Sequence, residues 1–221
     1  MLLKGNICYQ KETVSIMVIN KVLDEVFSTW SNVAVLRVLN KYAIGLSGRE
    51  VSRLVGMSPK NCLITLSSLE NLGMVSRIRG GRDHLFTLNR EHYLVSEAIL
   101  PLLQVENDFF DKIALFIKSK LKNKCISLIV FGSVARKDES IESDLDLCII
   151  LENAKLKPTV EEIVFDIGLK AHKRFGVSLS TIYFTKKEFA GKARLNKIPV
   201  NNIVKEGKVI SGLSIKELIN G

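Results

Sequence analysis

Apolar positions along this chain follow a helical period in the first half and form short continuous runs in the second. From residue 22 to residue 72 they recur three or four positions apart, which predicts a series of short amphipathic helices. The first helix is predicted from four apolar positions, Val33, Leu36, Val38 and Leu39. The first 20 residues have weak periodicity, which leaves both a strand and a loose arm open.

A second helix is predicted after Gly45 from its capping residues. Ser47 can accept a hydrogen bond from the backbone at the helix start, and Glu50, three residues later, completes a capping box. We expect this helix to bury three of its apolar residues, Val51, Leu54 and Val55.

A third helix is predicted from Ser58 to about Leu72. Ser58 is a favourable N-cap, Pro59 suits the first helical position, and Gly73 suits the left-handed conformation that ends a helix. One face of this helix is apolar and comprises Cys62, Leu66 and Leu69.

A β-hairpin is predicted next. Two β-like runs, residues 74–78 and 84–88, are joined by the basic turn Arg79-Gly80-Gly81-Arg82. Three short helices and a hairpin resemble the winged helix-turn-helix module of many bacterial and archaeal regulators. The resemblance covers about residues 30 to 92 and is carried by the stretch LSGREVSRLVGMSPKNCLITLSSLENLGMVSRIRGGRDHLFTLNREH.

The winged-helix resemblance implies binding to double-stranded DNA. The third helix of such a module enters the major groove, and the wing contacts phosphate or the minor groove. The candidate DNA-binding residues are Lys60, Asn61 and Thr65 on the helix and Arg77, Arg79 and Arg82 on the wing. A winged helix used for protein contact or dimerisation is the alternative. Such modules commonly bind two-fold sites as dimers, so a homodimer is expected.

The second half alternates strands and helices. A helical stretch from His92 to Lys122 is predicted to break at Pro101. Strands are then predicted at residues 126–131, 145–151 and 177–184, a helix at residues 159–175, and a mostly helical tail from residue 186. The predicted fold class is α+β, with a winged helix at residues 22–92, a helical linker at 93–104 and an α/β domain at 105–221 containing a small mixed sheet flanked by helices.

The stretch ISLIVFGSVARKDESIESDLDLCIIL contains the candidate chemistry. A buried strand leads into Gly132-Ser133, where glycine permits close backbone approach and the free N–H groups of the following helix could bind a phosphate. The Ser133 hydroxyl is a further donor, and Arg136 could reach a triphosphate or face solvent. By itself, a Gly-Ser pair could also be an ordinary strand-to-helix turn.

Asp144 and Asp146 form the second part of this pattern. Alternate residues of a strand share a face, so both carboxylates should point the same way while Leu145 and Leu147 enter the core. Neighbouring carboxylates repel each other unless a cation lies between them, and hard oxygen ligands suit Mg²⁺. The sequence therefore predicts a magnesium site, whereas a solvated edge would be the interpretation of the two aspartates alone.

Together, the Gly-Ser turn and the Asp-x-Asp strand resemble the DNA polymerase beta-like nucleotidyltransferase superfamily, and in particular its small domains in archaea and bacteria. The resemblance covers about residues 105 to 221. It implies Mg²⁺-dependent transfer of a nucleoside monophosphate from an NTP, expected to be ATP, to a hydroxyl acceptor. Asp144 and Asp146 would hold the metal and act in catalysis, with Gly132, Ser133 and Arg136 binding nucleotide. Some relatives are antitoxins that adenylylate a partner toxin, so a protein acceptor is one option.

One departure from the superfamily pattern leaves a second function open. Active members usually carry a third carboxylate on the later strand, but that strand reads VSLSTIYFT here, with Ser178 and Ser180 on the relevant face. Asp166 and Glu188 lie before and after it. The alternative is a DNA-binding transcriptional regulator whose transferase-like domain binds nucleotide without turning it over.

The composition of the chain indicates the kind of partner and the location to expect. The net charge of +9, from 32 basic and 23 acidic residues, favours polyanionic partners. Apolar residues make up 47% and no apolar run approaches the ~18 residues of a membrane span, so a cytoplasmic protein without a membrane partner is expected. The N-terminus lacks the pattern of a signal peptide. The cysteines (Cys8, Cys62, Cys125 and Cys148) show no metal-binding spacing and are expected to be buried thiols.

Overall fold

The computed structural model describes residues 19–80 and 83–220. These residues fall into two compact units that divide between Asn107 and Asp108. Cys8 lies outside the described residues, as do Arg82 of the predicted basic turn and all but the last two residues of the weakly periodic N-terminal segment.

The first unit contains short helices and a three-stranded antiparallel sheet in the order β1-β3-β2. Its elements are α1 (Val22–Val26), α2 (Trp30–Asn40), β1 (Leu46–Ser47), α3 (Gly48–Val55), α4 (Pro59–Asn71), β2 (Val75–Gly80) and β3 (Asp83–Leu88). The helices α2, α3 and α4 followed by the hairpin of β2 and β3, which pairs with the short strand β1, form a winged helix-turn-helix. The predicted fold of this half is confirmed.

Local capping defines the ends of α3 and α4. The Ser47 hydroxyl accepts from the Glu50 N–H at 3.3 Å, and the Glu50 carboxylate accepts from the Ser47 N–H at 2.8 Å, which completes the predicted capping box. Ser58 caps α4 and Pro59 is its first residue. Gly73 follows the helix with a φ of +72°, as predicted for a C-terminal glycine.

The core of the first unit includes the predicted apolar face of α4. Cys62, Leu66 and Leu69 are fully buried. The prediction for Leu54 is wrong, because this side chain is 43% exposed. The buried face of α3 is centred between Val51 and Ser52, which turns Leu54 towards solvent.

A continuous helical stretch crosses the boundary between the two units, where the sequence predicted a break at Pro101. A π-helical turn, Val95–Ile99, leads directly into α5 (Leu100–Leu121). Proline lacks the N–H that would bond to the carbonyl four residues earlier, and the wider π turn accommodates this loss without ending the helix. The predicted break is therefore wrong.

The second unit contains a four-stranded mixed sheet in the order β6-β5-β4-β7, in which only β5 and β6 are parallel. After α5 its elements are β4 (Ser127–Phe131), α6 (Gly132–Arg136), β5 (Leu145–Leu151), α7 (Lys157–Phe175), β6 (Leu179–Thr185), α8 (Lys186–Arg194), α9 (Val200–Glu206), β7 (Lys208–Gly212) and α10 (Ile215–Asn220). The three predicted strands are present. The predicted helical tail also contains β7, which the sequence pattern did not reveal because its five residues carry no strong alternation.

Each face of this sheet packs against a separate hydrophobic core. The cluster with α5 and α7 includes Leu145, Leu147 and Ile149, whereas the cluster with α8, α9 and α10 includes Cys148 and Ile150. Side chains alternate along β5, so Asp146 lies on the second face, with α8 to α10. The predicted α+β class with a small mixed sheet is confirmed.

Of the cysteines in the described part of the chain, Cys62 and Cys148 are buried as predicted, while Cys125 is half-buried. All three are free thiols, and burial raises the pKa of Cys125 to about 11 and that of Cys148 to about 12. Within residues 19–80 and 83–220, no helix combines the length and apolar character needed to cross a membrane.

Candidate functional site

The turn between β4 and α6 requires glycine at position 132 for two independent reasons. Gly132 has a φ of +72°, in the left-handed region that side chains rarely adopt. A Cβ added at this position would lie 3.1 Å from the Asp146 carboxyl carbon and would overlap its Oδ2. Gly132 therefore permits a carboxylate to lie directly against the backbone of the turn.

Strand register brings Asp146 to this turn. In the antiparallel pair of β4 and β5, Asp146 is the direct partner of Phe131, the residue before Gly132. Asp146 is half-buried, whereas Asp144 precedes β5 and is exposed. Leu145 is 4% exposed and Leu147 is fully buried, so the alternation along the strand is as predicted. The structure thus brings Asp146 against the Gly132 turn, although 13 residues separate the two in the sequence.

Ser133 and the loop after α6 complete this side of the site. Ser133 is half-buried, and its carbonyl accepts from the Asp138 N–H at 3.1 Å, which folds the chain back after α6. A second turn is closed where Ser140 and Ser143 exchange hydrogen bonds of 2.9 and 3.0 Å. This compact loop presents Asp144 immediately before β5.

Arg136 is held by two carboxylates of its own chain. Its guanidinium donates to Asp138 at 3.0 Å and to Glu206 of α9 at 2.9 Å, and these bonds raise the pKa of Arg136. These two bonds leave the Nη2 group of Arg136 as a further donor, so a phosphate could contact it without breaking either ion pair. Sequence reasoning missed Glu206, because it lies 70 residues away and no motif marks it.

Two serines, Ser178 just before β6 and Ser180 within it, lie beside the start of β5. In the parallel register of β5 and β6, Ser180 is the direct partner of Asp146. The Leu145 N–H donates to the Ser178 carbonyl at 2.9 Å, which brings Ser178 next to the start of β5. Hydroxyls therefore occupy the positions where a third carboxylate could have faced the pair.

The two remaining acidic candidates are positioned for other roles. Glu188 accepts from the Thr185 N–H and hydroxyl in the capping box of α8, and these bonds hold the pKa of Glu188 below its usual value. Asp166 is on α7, which packs against the opposite face of the sheet from Asp146. Among the described residues, no group of three or more His, Cys, Asp or Glu side chains is arranged to hold a metal ion. Any cation at this site would have two protein carboxylates.

The winged helix presents only part of the predicted DNA-binding set. Lys60 and Asn61 are exposed in the first turn of α4. Thr65 is 6% exposed, and its hydroxyl donates to the Ser31 hydroxyl at 3.1 Å. The prediction that Thr65 contacts DNA is wrong, because this side chain joins α4 to α2 in the interior.

The two described arginines of the wing differ in their environment. Arg77 forms an ion pair with Glu70 of α4 at 3.0 Å. This pair links β2 to α4 and offsets the positive charge of Arg77. Arg79 is exposed, two residues further along the same strand. Arg82 lies outside the described residues. Lys60, Asn61, Arg77 and Arg79 are therefore exposed, although Arg77 is already paired with a carboxylate.

Comparisons with known proteins agree with the second unit. Residues 110–209 match the family model of the nucleotidyltransferase domain. Two proteins of Methanocaldococcus jannaschii, each named "Putative protein adenylyltransferase", are also similar. The first is 30% identical over 94 residues, which are 42% of this chain and 86% of that protein. The second is 31% identical over 88 residues, 39% of this chain and 60% of its own length, so less than two thirds of that relative is covered.

A solved structure resembles part of the chain more distantly. The crystal structure of the PcaV transcriptional regulator from Streptomyces coelicolor, in complex with its natural ligand, covers 41% of this chain and 70% of that protein. The sequence identity is 26% and the TM-score is 0.31, a level that adds nothing to the topology described above.

Replacing Gly132 by Ala should destabilise the second unit and displace Asp146. The left-handed conformation alone costs a non-glycine residue ~1–2 kcal/mol, and the overlap with the carboxylate adds to this. Urea unfolding should report the loss. Gly191→Ala is the matched control, because Gly191 has nothing within 4 Å of an added Cβ. Equal stability of the two variants would contradict the close approach of Asp146 to the turn.

Proposed function

This chain belongs to the nucleotidyltransferase domain family, and we propose that it transfers a nucleoside monophosphate from an NTP to a hydroxyl acceptor. The convergence of Asp146 with the Gly132 turn carries this proposal. The oxygen of the acceptor would form a bond to the α-phosphorus, the bond from that phosphorus to the bridging oxygen would break, and pyrophosphate would leave. ATP is the first NTP to test.

The residues of the turn fit the binding of phosphates. The N–H groups that begin α6 have no partner within the helix, and the Ser133 hydroxyl is a donor beside them. The guanidinium donors of Arg136 that do not bond to Asp138 or Glu206 could also contact a phosphate.

The aspartate pair fits a divalent cation, which we propose to be Mg²⁺. Asp144 and Asp146 would hold the ion, with substrate phosphates and water completing its oxygen ligands. When bound, Mg²⁺ would neutralise charge on the transferring group and lower the pKa of the attacking hydroxyl. Ser178 and Ser180 add hydroxyl oxygens beside the pair but no charge.

A protein is the acceptor class that we propose to test first. The two curated relatives are named as protein adenylyltransferases, and the more completely covered one shares 30% identity over 94 residues with this chain. A side-chain hydroxyl of another protein would then receive the nucleotide.

A second candidate function follows from Ser180. This residue faces Asp146 where a carboxylate could have completed the site or served as a general base. A domain lacking that group could bind nucleotide without turning it over and act as a DNA-binding transcriptional regulator. The retained pair of converging carboxylates favours transfer, since a nucleotide sensor would have less need of two like charges at one site.

The winged helix is proposed to localise or regulate the transferase through double-stranded DNA. Lys60, Asn61 and Arg79 are exposed, and residues 30 to 92 contain 9 basic and 4 acidic residues, which favours a polyanion. We propose that the chain works as a homodimer, as such modules commonly do on two-fold sites. The cytoplasm, where NTPs and DNA are both present, is the proposed location.

Label transfer should distinguish the enzyme from the sensor. Incubating the protein with α-labelled ATP, Mg²⁺ and cell extract should label a protein acceptor, and Asp144→Asn or Asp146→Asn should reduce labelling by on the order of 100-fold or more. Asp111→Asn, a change of the same kind at an exposed position of α5, should leave it intact. Tight binding of ATP by the native chain without label transfer would favour the sensor.

Placing a carboxylate at Ser180 should make stability depend on magnesium. A third negative charge beside Asp146 should lower the free energy of unfolding by roughly 1–2 kcal/mol without Mg²⁺, since one pKa unit of repulsion corresponds to ~1.4 kcal/mol. Thermal unfolding of Ser180→Asp should shift upward with Mg²⁺ more than that of the native chain. Thr181→Asp, on the opposite face of β6, is the control and should not respond. An absence of any magnesium response in Ser180→Asp would count against a cation site.

The wing arginines should contribute to duplex binding. Replacing Arg79 and Arg82 together with Ala should weaken binding and reduce the slope of log K against log salt by about 0.9 for each phosphate that the variant no longer neutralises. Fluorescence anisotropy with duplex DNA at several salt concentrations measures both quantities. Lys118→Ala together with Lys120→Ala, on α5 of the second unit, removes the same two positive charges and controls for the change in net charge. Unchanged affinity of the double variant would exclude the wing from the DNA interface.

A further inference from the structure

The described residues leave one edge of the sheet in the second unit uncovered, and this edge adjoins the proposed transfer site at Ser180. β6 is the end strand of this sheet among the described residues, and all 7 of its residues are half-exposed. A groove of about 840 Å³ lies between β6 and the adjacent flank of α7.

β6 lacks the features that usually protect an edge strand. Natural edge strands are short or carry Lys, Pro or bulges, which prevent pairing with another chain. The sequence of β6 is LSTIYFT, which is uncharged and rich in β-branched and aromatic residues. At the other edge, β7 begins with Lys208 and pairs with β4 through an irregularity between Leu128 and Ile129. Of the two edges of this sheet, the β6 edge is therefore the one suited to contact with another protein surface.

The flank of α7 beside this groove is apolar at its centre. Phe165 is 68% exposed and Leu169 is 59% exposed, although both are large apolar side chains. Gly168 lies between them and has nothing within 4 Å of an added Cβ, so a second helix has room to approach closely. We call this region, comprising β6 with Glu161, Phe165, Gly168, Leu169 and Lys173 of α7, the α7–β6 surface.

The two halves of α7 carry mostly opposite charges. Apart from Lys157 at its start, its acidic residues lie before Ile167 and its basic residues lie after it. Glu161 and Lys173 are equally distant from Ile167 along the helix, and so are Phe165 and Leu169. Two copies of α7 aligned antiparallel about Ile167 would therefore place Glu161 opposite Lys173 and Phe165 opposite Leu169, twice over.

We propose that the α7–β6 surface is the interface of a two-fold homodimer and is covered by the same surface of a second copy. This inference rests on the homodimer in the proposed function and identifies where that dimer forms. A two-fold contact joins one patch to itself and must be self-complementary, which the arrangement of charge and apolar residues on α7 provides. Glu161 is already paired with Lys157 at 3.6 Å, but this pair is exposed and easily exchanged.

Truncating the apolar centre should weaken the dimer. Phe165→Ser in the full chain should raise the dimer dissociation constant about tenfold or more, as measured by sedimentation equilibrium. Because Phe165 is exposed in the single chain, the variant should retain the native circular dichroism spectrum. Leu115→Ser on α5, where the leucine is 60% exposed, is the matched control and should dimerise normally.

Charge reversal tests the two-fold alignment itself. Glu161→Lys should place like charges opposite each other twice in the homodimer, and so should Lys173→Glu, so each variant alone should dimerise at least about tenfold more weakly. Mixing the two variants should restore association, because every opposed pair in the mixed dimer is then of opposite charge. The double variant should also recover as a homodimer.

The outcomes separate this inference from the proposed function. If the native chain dimerises, and the Phe165→Ser and charge-reversal variants dimerise equally well, the homodimer stands but this interface is excluded. A native chain that is monomeric at all concentrations overturns both the homodimer and the interface. A monomer that binds a different protein through Phe165 also overturns the interface as proposed. None of these results alters the label-transfer experiment, which tests Asp144 and Asp146.

Discussion

The close approach of the Asp146 carboxylate to the backbone at Gly132 is the constraint on which the site depends. The antiparallel register of β4 and β5 places Asp146 opposite Phe131, and the absence of a Cβ at the next residue leaves space for the carboxylate. A turn suited to phosphates and a carboxylate suited to a cation are thereby held together by the sheet rather than by flexible loops. Rigid strands position such groups more accurately than loops do.

The two faces and one edge of the four-stranded sheet differ in what they contact. The end of the face that packs against α8 to α10 presents Asp146 and Ser180 side by side, while the other face buries Leu147 in the core formed with α5 and α7. The outer edge of β6 remains open beside Phe165. A serine in place of a third carboxylate weakens the attraction for a cation and removes a potential base. For this reason, transfer and nucleotide sensing remain chemically close alternatives in this domain.

Sequence patterns failed where neighbouring elements determine the outcome. Thr65 has the right position on α4 to face outward, but α2 packs over it and its hydroxyl bonds to Ser31. A proline usually ends a helix, but the π turn before Pro101 accommodates the missing hydrogen bond and the helix continues. β7 has too weak an alternation to be recognised and exists as a strand through its pairing with β4. The ion pair between Arg136 and Glu206 also could not be predicted, because it joins residues 70 positions apart.

The sequence by itself determined what depends on near neighbours along the chain. Capping residues such as Ser47 and Ser58, helical periodicity and the alternation of β5 all act within a few residues. The helix starts, the winged-helix order and the burial of Leu145 and Leu147 could therefore be predicted directly. Only the tertiary structure decided strand register, burial of polar groups and ion pairs between distant elements. These depend on interactions across tens of residues, which is why Ser180 opposite Asp146 became visible only in the fold.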